Sequence, residues 1–150
     1  MHLTNAIELL TQQHDEIEAL LVEVSAISSA PARTGALSEL ADKLTLHLAV
    51  EQELLYPAAD PLITPEIHAE LLAEHAEIKR ILADLIWLER EDQRFVRKLI
   101  GLQQILQLHE TWQETELFVR LTQGLPAPRL ADLGTEVHTW FDRTALSLAA

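Results

Sequence analysis

Apolar positions recur at three- and four-residue steps along most of the chain, and no segment sustains an alternation of period two. The pattern predicts helices and no sheet. The first stripe, Leu10, Ile17, Leu21 and Val24, follows Asn5 with Glu8 three residues on, a capping start, and stops at Ser28-Ser29-Ala30-Pro31. It predicts a helix over residues 5–28. The second, Leu37, Leu40, Leu44, Leu48 and Leu55, begins after Gly35 and predicts a helix over 36–57, with the proline-containing 57–65 as a loop. Thr64-Pro65-Glu66 supplies a cap, a first-turn proline and a first-turn acid for a third helix over 65–90, with Leu71, Ile78, Leu82 and Leu85 on one face. Past the polar Glu89-Arg90-Glu91-Asp92, Phe95, Leu99, Leu102 and Leu106 carry a fourth helix over 92–122, ended near Gly124.

Four helices of similar length with short connections predict an all-α, up-down-up-down four-helix bundle. Leu130, Leu133, Val137, Trp140, Phe141 and Leu148 mark an additional C-terminal helix, expected to break near Gly134 and to pack on the bundle or on a partner. Residues 1–124 then form the bundle and 125–150 the extension, with a homodimer through the C-terminal helix as one expectation.

The chain also repeats itself. A shift of 61 residues lays His14-Asp15-Glu16-Ile17 over His75-Ala76-Glu77-Ile78, and a shift of 62 lays Leu46-His47 over Leu108-His109 and Leu55-Tyr56 over Leu117-Phe118. The first two helices form a hairpin related to the next two, and four histidines occupy matching positions. Each lies near the middle of an otherwise apolar seam. Glu51 shares the seam of His47 at the i,i+4 spacing, and a carboxylate there costs several kcal/mol unless it is paired or binds a cation.

On the fourth helix the regular seam would continue from His109 to Gln113, Glu116 and Arg120, whereas the apolar residues shift by one to Leu117, Phe118 and Leu121. A one-residue skip predicts a π-bulge, expected to swing Glu114 onto the face of His109.

Composition narrows the chemistry. With no cysteine, thiolate zinc sites, iron-sulfur clusters, disulfides and cysteine nucleophiles are excluded, and any metal is held by imidazole and carboxylate. Lys and Arg total 11 against 24 Asp and Glu, a formal charge of -13, which disfavours nucleic acid and anionic membrane surfaces as partners. The N-terminus Met1-His2-Leu3-Thr4-Asn5 carries no basic region before an apolar stretch, so neither signal peptide nor membrane span is expected and the localisation expected is cytoplasmic. Four repeat-related imidazoles with two seam glutamates suit iron, manganese or zinc. A ferritin-like site needs Glu-x-x-His pairs, and no histidine here has Glu three residues before it.

His14, His47-x-x-x-Glu51 followed by Leu55-Tyr56-Pro57, Glu74-His75, and His109 with Glu114 followed by Leu117-Phe118 resemble the hemerythrin and HHE cation-binding domain pattern, over residues 5 to about 122. The resemblance implies a bundle around a non-heme di-iron centre, held by histidines and bridged by carboxylates and an oxo or hydroxo group, with O2 at an open position. It implies a helix-4 carboxylate four or five residues after its histidine, a place Glu114 fills where Gln113 stands at four. Hemerythrins proper carry a second helix-3 histidine four residues from the first; here those positions are Leu71 and Lys79, one imidazole fewer, which places the chain nearer the divergent HHE branch.

The metal ligands expected are therefore His14, His47, Glu51, His75, His109 and Glu114, binding Fe, with Zn or Mn as substitutes. The function expected is binding of O2 or a related small oxidant for sensing, storage or delivery rather than conventional enzymology, so no catalytic residue is assigned. The alternatives are a di-iron oxidoreductase acting on peroxide, nitric oxide or ferrous iron, and a metal-stabilised interaction bundle. His68 reads as an end-of-core histidine, Glu18 as a solvated acid, and Trp87, Trp112 and Trp140 as core or interface aromatics.

Overall fold

The computed structural model describes residues 4–149, with side chains through 144. His2 and the side chain of Leu148 lie outside the described residues. The chain is all-α. α1 (Ala6–Ala26) opens where the Asn5 side chain accepts the Glu8 N–H at 2.9 Å. α2 (Ala30–Val50) opens six residues before the expected start, because Pro31 stands in its first turn, where the missing N–H and fixed φ are compatible with helix. Gly35 is thus an exposed position inside α2 and not its boundary.

The second rod also outlasts its expected end. A π-helical turn at Glu51–Leu55 leads directly into α3 (Tyr56–Ala59), and a 3-10 turn at Asp60–Leu62 follows, so most of the expected loop is helical. α4 (Pro65–Trp87) starts with Thr64 Oγ1 accepting the Ile67 N–H at 3.2 Å. α5 (Gln93–Trp112) is capped by Asp92, passes through a second π-helical turn at Gln113–Leu117, and continues as α6 (Phe118–Gly124). Trp112 and Trp140 are half-buried as expected of interface aromatics; Trp87, at the end of α4, is 87% exposed and belongs to no core.

α1 packs on α2 and α5, and α4 packs on α5 and α2, which closes the four rods into a bundle. α7 (Ala127–Ala149) lies across α1 and the first π turn, with Leu130, Leu133 and Val137 buried there. It does not break at Gly134. A Cβ at Gly134 would stand 2.5 Å from the Thr4 carbonyl oxygen and 3.0 Å from Ala6 N, so the glycine permits a close helix crossing over the start of α1.

The buried apolar residues form two clusters, not one. Ile17, Leu40, Leu44, Ile78, Leu85 and Leu102 belong to the first; Leu10, Leu55, Leu71, Leu117, Phe118 and Leu133 belong to the second. Between them lies a layer of buried polar side chains: His14, His47, Glu51, His75, His109 and Gln113. Nothing in hydrophobic packing accounts for such a layer, whose desolvation works against folding unless the groups satisfy one another or a ligand.

Candidate metal centre

Glu51 is the hub. Its carboxylate is fully buried, and its two oxygens face different histidine pairs. Oε1 lies 2.7 Å from His47 Nε2 and 3.9 Å from His14 Nε2; Oε2 lies 2.8 Å from His75 Nε2 and 3.3 Å from His109 Nε2. Two three-residue donor groups result, His14–His47–Glu51 and Glu51–His75–His109, sharing one carboxylate.

The rings are held from behind. His47 Nδ1 donates to Gln13 Oε1 at 2.7 Å, His109 Nδ1 to Glu74 Oε1 at 2.6 Å, and His14 Nδ1 to Glu114 Oε1 at 3.2 Å. A proton on Nδ1 leaves the Nε2 lone pair toward Glu51, the tautomer that a metal-ligating imidazole requires. Gln13 and Glu74 each precede the histidine of their own helix and support the histidine of the next one, so the orienting contacts repeat with the hairpins.

The donors fit a cation. His14 Nε2, His47 Nε2 and Glu51 Oε1 are buried and have no hydrogen-bond partner, although His47 Nε2 and Oε1 are only 2.7 Å apart. That short approach lacks hydrogen-bond direction; the atoms converge as ligands do. Nitrogen and carboxylate donors without sulfur suit iron, manganese or zinc.

Two residues complete the layer without having been expected there. Tyr56, five residues after Glu51 across the π turn, places its hydroxyl 3.0 Å from Glu51 Oε2, to which it donates, and 2.8 Å from His75 Nε2. Gln113 is fully buried and its amide Nε2 donates to the Tyr56 oxygen at 3.2 Å, while its Oε1 has no partner. Gln113 is 62 residues after Glu51, so the repeat itself was the signal that could have found it.

The position of Glu114 differs from the expectation. The π turn is present, but it begins at Gln113; the extra residue enters after the inward position and not before it. Gln113 thus keeps the regular i+4 place on the face of His109, and Glu114, 39% exposed, reaches the back of the His14 ring from the flank. It lies outside both donor groups. The same one-residue skip occurs in the second rod, where Leu55 and Tyr56 turn inward and Leu54 does not.

Electrostatics follow from burial. Desolvation alone would raise Glu51, but the surrounding imidazoles, His47 first and then His109 and His14, outweigh it and hold the carboxyl well below its usual range. Desolvation opposes protonation of His109, yet its bonds to Glu51 and Glu74 push it up to about 9. Burial and the neighbouring Glu51 push the Tyr56 phenol up, so it is a neutral donor here. Glu110, buried beside His109, is raised to about 7 by desolvation against the opposing pull of His14. His68 lies outside the centre, paired with Asp60 at 2.8 Å with its ring edge-on to Tyr56; Glu18 accepts from Gln107 at the surface.

The family model of the hemerythrin HHE cation-binding domain matches residues 5–121. The chain therefore belongs to the hemerythrin HHE cation-binding domain family. Among solved structures, it is similar to a hemerythrin HHE cation-binding domain-containing protein from Mycobacterium kansasii, with a TM-score of 0.82 at 21% identity, over 93% of this chain and 86% of that one. That likeness establishes the fold. No curated protein matches the chain. Among the described residues no helix is long and apolar enough to cross a membrane.

Proposed function

We propose that the chain is a non-heme di-iron protein that binds O2 or a related small oxidant for sensing, storage or delivery. The observation that carries this reading is the orientation of Glu51, one oxygen toward each histidine pair. His14, His47 and Glu51 would hold one ion, and Glu51, His75 and His109 the other. Iron bound there supplies reversible electron exchange with the small oxidant. The protein's own part is positional. Gln13, Glu74 and Glu114 fix three imidazole rings, and Glu114 acts in this reading on His14 and not on a metal. Tyr56 places its oxygen beside His75, in a donor group with one imidazole fewer than hemerythrins proper, and Gln113 holds that oxygen in place. The apolar clusters on either side keep bulk water from the layer.

Metal analysis of anaerobically purified protein, with optical spectra before and after admission of air, tests the proposal. Iron in both donor groups and a spectrum that changes with air and returns on removing it are expected. Zinc or manganese without an oxygen-linked spectrum would overturn the iron assignment, and sustained consumption of peroxide or nitric oxide would replace a binding role with an enzymatic one.

A further inference from the structure

On the opposite side of α1 from its contact with α5, the chain forms a concavity that none of the metal ligands lines. It measures about 490 Å3 and is walled by α1, α2 and α7, within the size range of small-molecule sites. One wall is α7, which lies beyond the residues 5–121 that define the family, so the groove is not part of the four-rod architecture.

Its inner surface is apolar, from Leu9 and Leu46 on the bundle and Val137 and Phe141 on α7. Its charged rim is unbalanced. Lys43 is the one Lys or Arg of the lining, and it is already paired with Glu16 across the groove. Glu39 and Asp42, one helical turn apart on α2, are exposed and make no hydrogen bond or ion pair with any described residue. His138 completes the rim. An anion entering here meets two unpaired carboxylates and a chain of net charge -13, whereas an ammonium or guanidinium group meets its complement.

We infer that this groove is a binding site for a small amphipathic organic cation, an apolar body carrying one amine or guanidinium head. The body lies against Leu9, Leu46, Val137 and Phe141, and the head sits between Glu39 and Asp42. Gln13, which supports His47, lines the groove, and none of the ligands of the Glu51 cluster does.

The test uses the full chain, metal-free and metal-loaded, with methyl resonances of Leu9, Leu46 and Val137 followed as n-octylammonium, octanol or octanoate is added. Saturable one-site shifts with n-octylammonium, at least tenfold weaker binding of octanol and no site binding of octanoate are expected. The surface variant Glu39→Gln/Asp42→Asn should weaken n-octylammonium about tenfold, the combined worth of two rim ion pairs. Equal binding of the three probes, shifts scattered over the surface, or unchanged affinity in the double variant would overturn the assignment. Because no ligand of the Glu51 cluster lines the groove, these outcomes are independent of whether iron is bound.

Discussion

One turn after its histidine, the first hairpin carries Glu51; one turn after its histidine, the second carries Gln113. The backbone and packing around the two positions repeat. Each residue is fully buried, each begins a π-helical turn of five residues, and each is followed by an inward Leu-aromatic pair, Leu55-Tyr56 and Leu117-Phe118. The rings behind them are held alike, His47 by Gln13 and His109 by Glu74. The charge at the two positions is not repeated. A second carboxylate at 113 would put two anions in one desolvated layer; the amide instead donates to Tyr56, which donates to Glu51, so the second hairpin feeds hydrogen bonds toward the carboxylate of the first. A duplicated scaffold can keep its geometry while its two halves take different electrostatic parts.

The comparison is broken most directly at Glu51. Glu51→Gln should reduce bound iron to background in both groups, because both share that carboxylate, and the swap Glu51→Gln/Gln113→Glu should recover part of it if the positions are geometrically equivalent. Metal analysis of the pair decides; a swap that recovers nothing would show that the hairpins differ in more than charge.

Single-histidine variants sharpen it further. His14→Ala and His75→Ala should each remove about half of the metal, from opposite groups, in the sense expected when one ligand set of two is broken. Loss of all metal from either would mean that the two groups load as one unit.

Metal removal has a smaller, thermodynamic effect. Loading at about 100 times the dissociation constant should stabilise the fold by roughly 2.7 kcal/mol, a few degrees in melting temperature for a domain of this size. Melts followed by circular dichroism, with verified metal content, check this, and equal midpoints would break the link between the polar layer and a cation. Gly134→Ala should cost about 1–3 kcal/mol by overpacking, since its Cβ meets the backbone of Thr4 and Asn5. Gly101→Ala, in the middle of α5 with nothing within 4 Å of its Cβ, should instead gain roughly 0.5–1 kcal/mol. Chemical denaturation of the two variants tests the contrast.

The smallest effect is a slope. Burial raises Glu110 from 4.5 to about 7, so the metal-free fold binds its proton more tightly than the unfolded chain does. The stability this contributes is fully present below 4.5 and is lost as pH rises through about 7. Glu110→Gln should flatten that part of the stability profile, measured by urea unfolding of metal-free protein across the interval; an unchanged slope would assign the dependence to other groups.

The bundle was legible because its apolar stripes hold one period over long stretches and because Asn5, Thr64 and Asp92 stand where capping side chains are needed. The histidines were legible because polar residues in apolar seams are costly and these four recur with the repeat. Reading Pro31 as a terminator obscured the start of α2, although proline serves equally well in a first turn. The fourth rod was legible in part. Glu114 was expected on the face of His109 because the apolar stripe skips one residue, but a skip says that a residue is inserted without saying on which side of the polar position. Tyr56 was hidden for a related reason, since reaching Glu51 from five residues on requires the π turn that the second rod also contains.

The crossing at Gly134 ties Thr4, just before α1, to a helix that is synthesised after all four rods. All four rods, and every ligand from His14 to His109, emerge before the helix that lies over the start of α1. During synthesis the first helix must therefore wait with its beginning uncovered, and the contact that closes it joins Thr4 to Gly134 across all four rods, the kind of long-range closure that forms late and slowly.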